Sequence, residues 1–231
     1  MTGEAEDRVS VLPFGASSAG LIRRGDHALF GISTGNSYFS LRRVAQALTW
    51  ALERFAVVDI VVADVALEAT LEALGYEPTA ARKSVAKQLS GVRRRIDGAL
   101  ADLGAAADRV RARPLSSFLD QPDYREVRAR TRVALRNDLE LRSVRDATAY
   151  QFLAKRLAPG ALPTAPQVQA ALAYVDAELP FVVDTPEILG VASSVHCYHS
   201  LLPLGRLLYG DRQDGLRPAA NQGYAIVECR D

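Results

Sequence analysis

The sequence predicts an α/β fold, a parallel sheet covered by helices on both faces, and two stretches carry that prediction. Ala28 to Ile32 is a short apolar run that leads into the turn formers Ser33, Thr34, Gly35, Asn36 and Ser37, after which Leu41, Val44, Leu48 and Leu52 recur at helical spacing. Val57 to Val62 repeats the pattern: a β-branched run that ends at Asp64, then Leu67, Leu71 and Leu74 closed by Gly75. Strand, helix, strand, helix in that order joins parallel neighbours, since a crossover helix returns the chain to the same end of the sheet.

Around this unit the elements are read in turn. Val11 to Gly20 reads as an irregular lead-in, and Pro78 to about Leu157 as mostly helical, broken near Gly104 and around Pro114 and Pro122. Pro166 opens a helix through Val168, Leu172, Val175 and Leu179 that ends at Pro180. Phe181 to Val183 and Ser193 to Cys197 read as short strands, Leu201 to Tyr209 as a last helix, and Tyr224 to Cys229 as a closing strand. A chain of 231 residues suits one sizeable core, so 1–231 is taken as a single domain, with 1–20 and 210–231 its least defined parts.

Composition narrows the setting. No apolar run approaches the roughly 20 residues that span a bilayer, and residues 1–20 lack the pattern of a secretory signal, so the expectation is a cytoplasmic, monomeric protein with no membrane contact. Cys197 and Cys229 are far apart, which suits inert thiols, and His196 with His199 lacks a third ligand at a recognisable spacing, so no metal is expected.

Between Glu77 and Asp97 no acidic residue occurs, while Arg82, Lys83, Lys87, Arg93, Arg94 and Arg95 all fall inside. On a helix Val85, Leu89, Val92 and Ile96 share one face, and Lys83, Lys87 and Arg94 point away from it. Such a helix packs an apolar stripe on the protein and offers cations to a polyanion; charge alone does not separate this from a solvated helix surface.

Gly31-Ile-Ser33-Thr-Gly35 fits the G-x-S-x-G pattern of a nucleophile on a tight strand-to-helix turn. Taken alone, five residues suit a turn or capping serine as well. A serine hydrolase with His196 or His199 as base stays open by chain order.

The serine loop His27 to Ser40, taken with Tyr174-Val-Asp-Ala-Glu178-Leu-Pro180-Phe181 and Cys197-Tyr198-His199-Ser200, resembles the cyclodipeptide synthase family. The resemblance spans His27 to Ser200 and includes the place of the basic helix. It implies a Rossmann-like domain akin to the catalytic domain of class I aminoacyl-tRNA synthetases. It also implies an aminoacyltransferase that joins the aminoacyl groups of two aminoacyl-tRNAs into a 2,5-diketopiperazine, with no ATP and no other cofactor.

By the same resemblance Ser33 is the nucleophile that carries aminoacyl and dipeptidyl groups, and Asn36, Tyr198 and His199 mark the Asn-Tyr-His subgroup. Glu178 anchors the α-ammonium of the bound aminoacyl group, helped by Tyr174. Leu29, Gly31, Phe181 and His196 line a first pocket, which Phe181 and His196 narrow in favour of a small residue. Lys155 and Arg156 lie near a second pocket, where a cation favours an acidic one, such as glutamate beside alanine. Arg82, Lys83, Lys87, Arg93, Arg94 and Arg95 grip tRNA. The rival readings, a serine hydrolase and a non-catalytic RNA-binding module, each leave some of these residues without a use.

Overall fold

The computed structural model describes residues 8–230. Its strands are β1 (Val9–Phe14), β2 (His27–Ser33), β3 (Val57–Ala63), β4 (Val110–Pro114), β5 (Ser194–Tyr198) and β6 (Gln222–Cys229). Its helices are α1 (Ser18–Arg24), α2 (Leu41–Leu52), α3 (Leu67–Ala73), α4 (Pro78–Leu103), α5 (Pro122–Asn137), α6 (Leu139–Ala154), α7 (Ala165–Leu189) and α8 (Pro203–Tyr209). The sheet runs β1-β6-β5-β2-β3-β4, all parallel except β1, which closes the β6 edge antiparallel.

Strand β2 sits inside because all its residues but Gly31 and Ser33 are buried, which requires a layer on each face of the sheet. On one face Phe30, Ile32 and Ile60 pack with Val44 and Leu48 of α2 and Val92 and Ile96 of α4. On the other, Leu29 and Val61 meet Phe118, Tyr124 of α5 and Phe181 of α7. This is the expected Rossmann-like α/β arrangement. No helix among the described residues is long and apolar enough to cross a membrane.

Three expectations are corrected. The strand expected at Phe181 to Val183 is helix: α7 runs on through Pro180 to Leu189 and bends at Asp184, where φ is −155° and ψ is 67°. A proline removes one helical hydrogen bond, yet Leu179 to Val183 are all buried, so packing outweighs that loss at Pro180 and the helix bends only at Asp184, two residues before the second proline, Pro186. The lead-in at Val11 to Gly20 is instead β1 and the start of α1, an edge strand that tolerates Pro13. The mostly helical region from Pro78 to Leu157 contains β4, whose Val-Arg-Ala-Arg-Pro pattern hides a strand because Arg111 and Arg113 extend to a buried partner in β3.

That partner is Asp59, 1% exposed, which accepts from Arg111 Nε at 3.0 Å and Arg113 Nη2 at 3.1 Å and bonds His27 Nε2 at 3.0 Å. Burial pushes its carboxyl up, but the His27 bond and Arg111 outweigh this and hold it below the usual carboxylate range. A depressed folded pKa contributes stability that is complete above the unfolded value, about 3.9, and is lost as pH falls through the folded one. Urea unfolding is expected to show Asp59→Asn destabilised by about 3 kcal/mol at pH 7, with the difference shrinking below about pH 4.

Candidate active site

Parallel pairing brings the carboxyl-terminal ends of β2 and β5 side by side, with Leu29 opposite His196 and Phe30 opposite Cys197. The last residues of those strands therefore meet: Ser33 Oγ lies 3.4 Å from Tyr198 Oη. Helix α7 crosses the same end of the sheet. Tyr174 and Glu178, four apart on one face of it, reach down so that Tyr174 Oη is 3.3 Å from Ser33 Oγ and 3.0 Å from Glu178 Oε1. One phenolic proton cannot serve both contacts at once, so Tyr174 donates to either Ser33 or Glu178 at any moment.

Each of these groups is shifted by burial. Glu178 is raised to about 7 by desolvation, which the Tyr174 bond only partly offsets. Tyr174 is pushed well above its ordinary value by burial and by Glu178, and Tyr198 is raised for the same first reason. Both phenols thus stay protonated at neutral pH, and the carboxyl is the one group in the cluster poised to change charge there.

The loop after Ser33 is set by Gly35, whose φ of +73° is the left-handed turn that glycine adopts at no steric cost. Ser40, not Ser33, caps α2, accepting from Arg43 N–H at 3.2 Å. Asn36 Oδ1 accepts from Tyr38 N–H at 3.0 Å, and its amide Nδ2 lies 3.3 Å from His199 Nε2. Burial lowers His199, which keeps the ring neutral and able to accept there.

Sequence reasoning missed Tyr38. Its ring stacks on His199 at 4.0 Å and 22°, and its hydroxyl accepts from Cys229 N–H of β6 at 2.7 Å. The aromatic pair Tyr38-Phe39 inside a polar turn is the only signal it leaves, and a β6 partner 191 residues away is invisible to a local reading.

The other expected residues divide. Leu29, Phe181 and His196 are buried on the Ser33 face; a Cβ added to Gly31 would stand in ordinary van der Waals contact with the His196 ring, 3.9 Å from Nε2. Desolvation lowers His196 to about 4, and its Nδ1 is buried with no hydrogen-bond partner among the described residues. Arg156 lays its guanidinium 3.6 Å over Phe152, which stacks on Tyr174 at 5.0 Å. Lys155 is exposed and its charge is felt at His199. Arg82, Lys83, Lys87, Arg93 and Arg94 are exposed along α4, while Arg95 is half-buried.

The hydrolase reading gains nothing from this geometry, because Ser33 Oγ faces two phenols and His199 is turned to Asn36. A serine-histidine-aspartate chain does exist, Ser194 to His27 at 2.8 Å and His27 to Asp59 at 3.0 Å, but all three residues are buried and the aspartate is held by two arginines. Among the described residues no group of His, Cys, Asp and Glu is placed to hold a metal ion.

Fold and site together define a Rossmann-like enzyme with a serine beside two phenols, one of which bonds a half-buried carboxyl. The family model for cyclodipeptide synthases matches residues 9–229, beyond the 27–200 span visible in the motifs. The cyclo(L-tyrosyl-L-tyrosyl) synthase of Mycobacterium tuberculosis is 40% identical over 223 residues, 96% of this chain and 77% of that one. The crystal structure of a cyclo(L-leucyl-L-phenylalanyl) synthase superposes with a TM-score of 0.90 at 35% identity, covering 96% of this chain and 99% of the other. A second solved structure, from Mycobacterium tuberculosis and described as relating cyclodipeptide synthetases to type I tRNA synthetases, gives 0.84 at 40% identity over 96% and 94% of the two chains. The chain belongs to the cyclodipeptide synthase family, enzymes that form cyclic dipeptides from aminoacyl-tRNAs.

The Tyr38 stack is separable from its hydroxyl. Tyr38→Phe is expected to lose about 1–2 kcal/mol of stability by stranding the Cys229 N–H while forming product at nearly the wild-type rate. Tyr38→Leu also loses the ring contact with His199, and its rate is expected to fall about tenfold, measured as cyclic dipeptide formed per enzyme.

Proposed function

We propose that Ser33 Oγ attacks the ester carbonyl of a first aminoacyl-tRNA. The serine ester forms, the bond to the terminal ribose oxygen breaks, and the serine proton passes to that oxygen through Tyr198 and the vicinal ribose hydroxyl. The observation that carries this reading is the convergence of Tyr198 and Tyr174, the latter bonded to Glu178, on Ser33 Oγ from two elements distant in sequence.

Glu178 pairs with the α-ammonium of the acyl group and fixes its carbonyl for attack. With a pKa near 7 it also accepts the ammonium proton, leaving a free amine. That amine attacks the ester carbonyl of a second aminoacyl-tRNA: a peptide bond forms, the second tRNA leaves, and Ser33 carries a dipeptide. The new terminal amine then attacks the serine ester, closing the ring and restoring the hydroxyl. The esters arrive activated, so the sequence of steps runs without ATP, metal or other cofactor, in a cytoplasmic monomer.

Asn36 and His199 hold the loop and Tyr198 in place. The space above Gly31, bounded by Leu29, Phe181 and His196, takes a small first side chain, and Lys155 with Arg156 at the rim favours an acidic second one, as in alanine with glutamate. The exposed cations Arg82, Lys83, Lys87, Arg93 and Arg94, with Arg95 beside them, grip tRNA phosphates.

Bulk bacterial tRNA charged with labelled amino acids tests the nucleophile: Ser33→Ala should retain no label after denaturation, and a labelled variant would remove Ser33 from that role. Acyl-enzyme formation at limiting substrate should fall as pH drops below about 7, because Glu178 must be ionised to meet the ammonium; in Glu178→Gln the rate should be low and lack that acid limb.

A further inference from the structure

Helix α5 carries a second basic face, apart from that of α4. Its buried side is Tyr124, Val127, Thr131 and Leu135. At about 100° per residue, Arg125, Arg128, Arg132 and Arg136 fall within roughly 80° of one another, along one flank of that side, while Asp123 and Glu126 lie elsewhere on the helix.

Arg125, Arg132 and Arg136 are exposed, and no ion pair among the described residues reaches them. Neighbouring arginines are different: Arg130 pairs with Asp184 at 2.8 Å and Arg145 with Asp176 at 3.2 Å. Arg128, Arg132 and Arg136 follow one another at four-residue steps, a spacing at which like charges repel and weaken a helix. The face is about 16 Å long at 1.5 Å per residue. Arg128 is half-buried and acts on Asp176, but Arg125, Arg132 and Arg136 lack ion-pair partners among the described residues, and such a row of cations is relieved by a polyanion, whose phosphates can be spaced along it.

Its place relative to the reacting groups narrows the occupant. Tyr124 donates to Ala177 O at 2.9 Å, so α5 abuts the turn of α7 that bears Glu178. Helix α4 lies instead by the Ser33 loop, with Gln88 Oε1 3.4 Å from where a Cβ on Gly35 would stand. The two helices pack on opposite faces of the sheet. In the proposed reaction the first ester must reach Ser33, beside α4, and the second must reach the amine held at Glu178, beside α5.

We infer that the Arg125, Arg132 and Arg136 face of α5 binds the phosphate backbone of the second aminoacyl-tRNA. This rests on the proposed function, and the test separates the two. The enzyme is first loaded with label from charged bulk bacterial tRNA, freed of tRNA, and then chased with unlabelled charged tRNA while cyclic dipeptide release is followed at several salt concentrations.

In Arg132→Glu/Arg136→Glu the loading rate should stay within about twofold of wild type, while half-saturation in the chase rises tenfold or more. The log-log salt slope of the chase should fall by about 1.4, two contacts at about 0.7 each for a single strand. Arg132→Lys/Arg136→Lys should restore the chase, and Arg125→Gln/Arg132→Gln, which introduces no repulsion, should show a smaller loss in the same step. Lys83→Glu/Lys87→Glu on α4 should slow loading. A chase unchanged by reversal on α5, or loading slowed as much as the chase, overturns the inference. Absence of any wild-type acyl-enzyme on Ser33 overturns the reaction scheme itself, and the inference with it.

Discussion

The parallel pairing of β2 with β5 is the constraint on which the site depends. Because the two strands run the same way in one register, Ser33 and Tyr198 end at the same edge of the sheet although 165 residues separate them. An antiparallel partner would have sent its tyrosine to the opposite edge. Burial on both faces then leaves that edge as the place where polar side chains of the central strands can meet a ligand.

Helix α7 is fitted to this edge from the other layer. Its second half is apolar nearly all round and is held among the sheet, α5 and α6, which keeps its first half at a fixed height above Ser33. Glu178 consequently lies half-buried beside phenols, with no cation among the causes that shift it. Desolvation raises its carboxyl, and in the proposed reaction the arriving ammonium relieves it. A site with that imbalance prefers a cationic ligand before any shape is considered, which is the property an aminoacyl group supplies.

Histidine placement shows how much depends on surroundings. His27 is tied on both nitrogens inside the sheet, His199 is kept neutral between Asn36 and the Tyr38 ring, and His196 lies under Gly31 with one nitrogen unpaired. Only chain order was available to offer His196 or His199 as a hydrolase base, and chain order carries no distances.

Local patterning by itself determined the central β-α-β-α unit, the amphipathic face of α4 and the polar turn at Ser33, because each rests on contacts between residues close in sequence whose period shows directly. The motifs at Tyr174 to Phe181 and Cys197 to Ser200 placed the chain in its family for the same reason. What only the tertiary structure decided is non-local: that packing carries α7 past Pro180, that β4 forms around Asp59, that Tyr38 lies under His199, and that α5 turns a row of arginines outward. Those outcomes depend on partners tens to hundreds of residues away, and a one-dimensional pattern records the residues but not which of them meet.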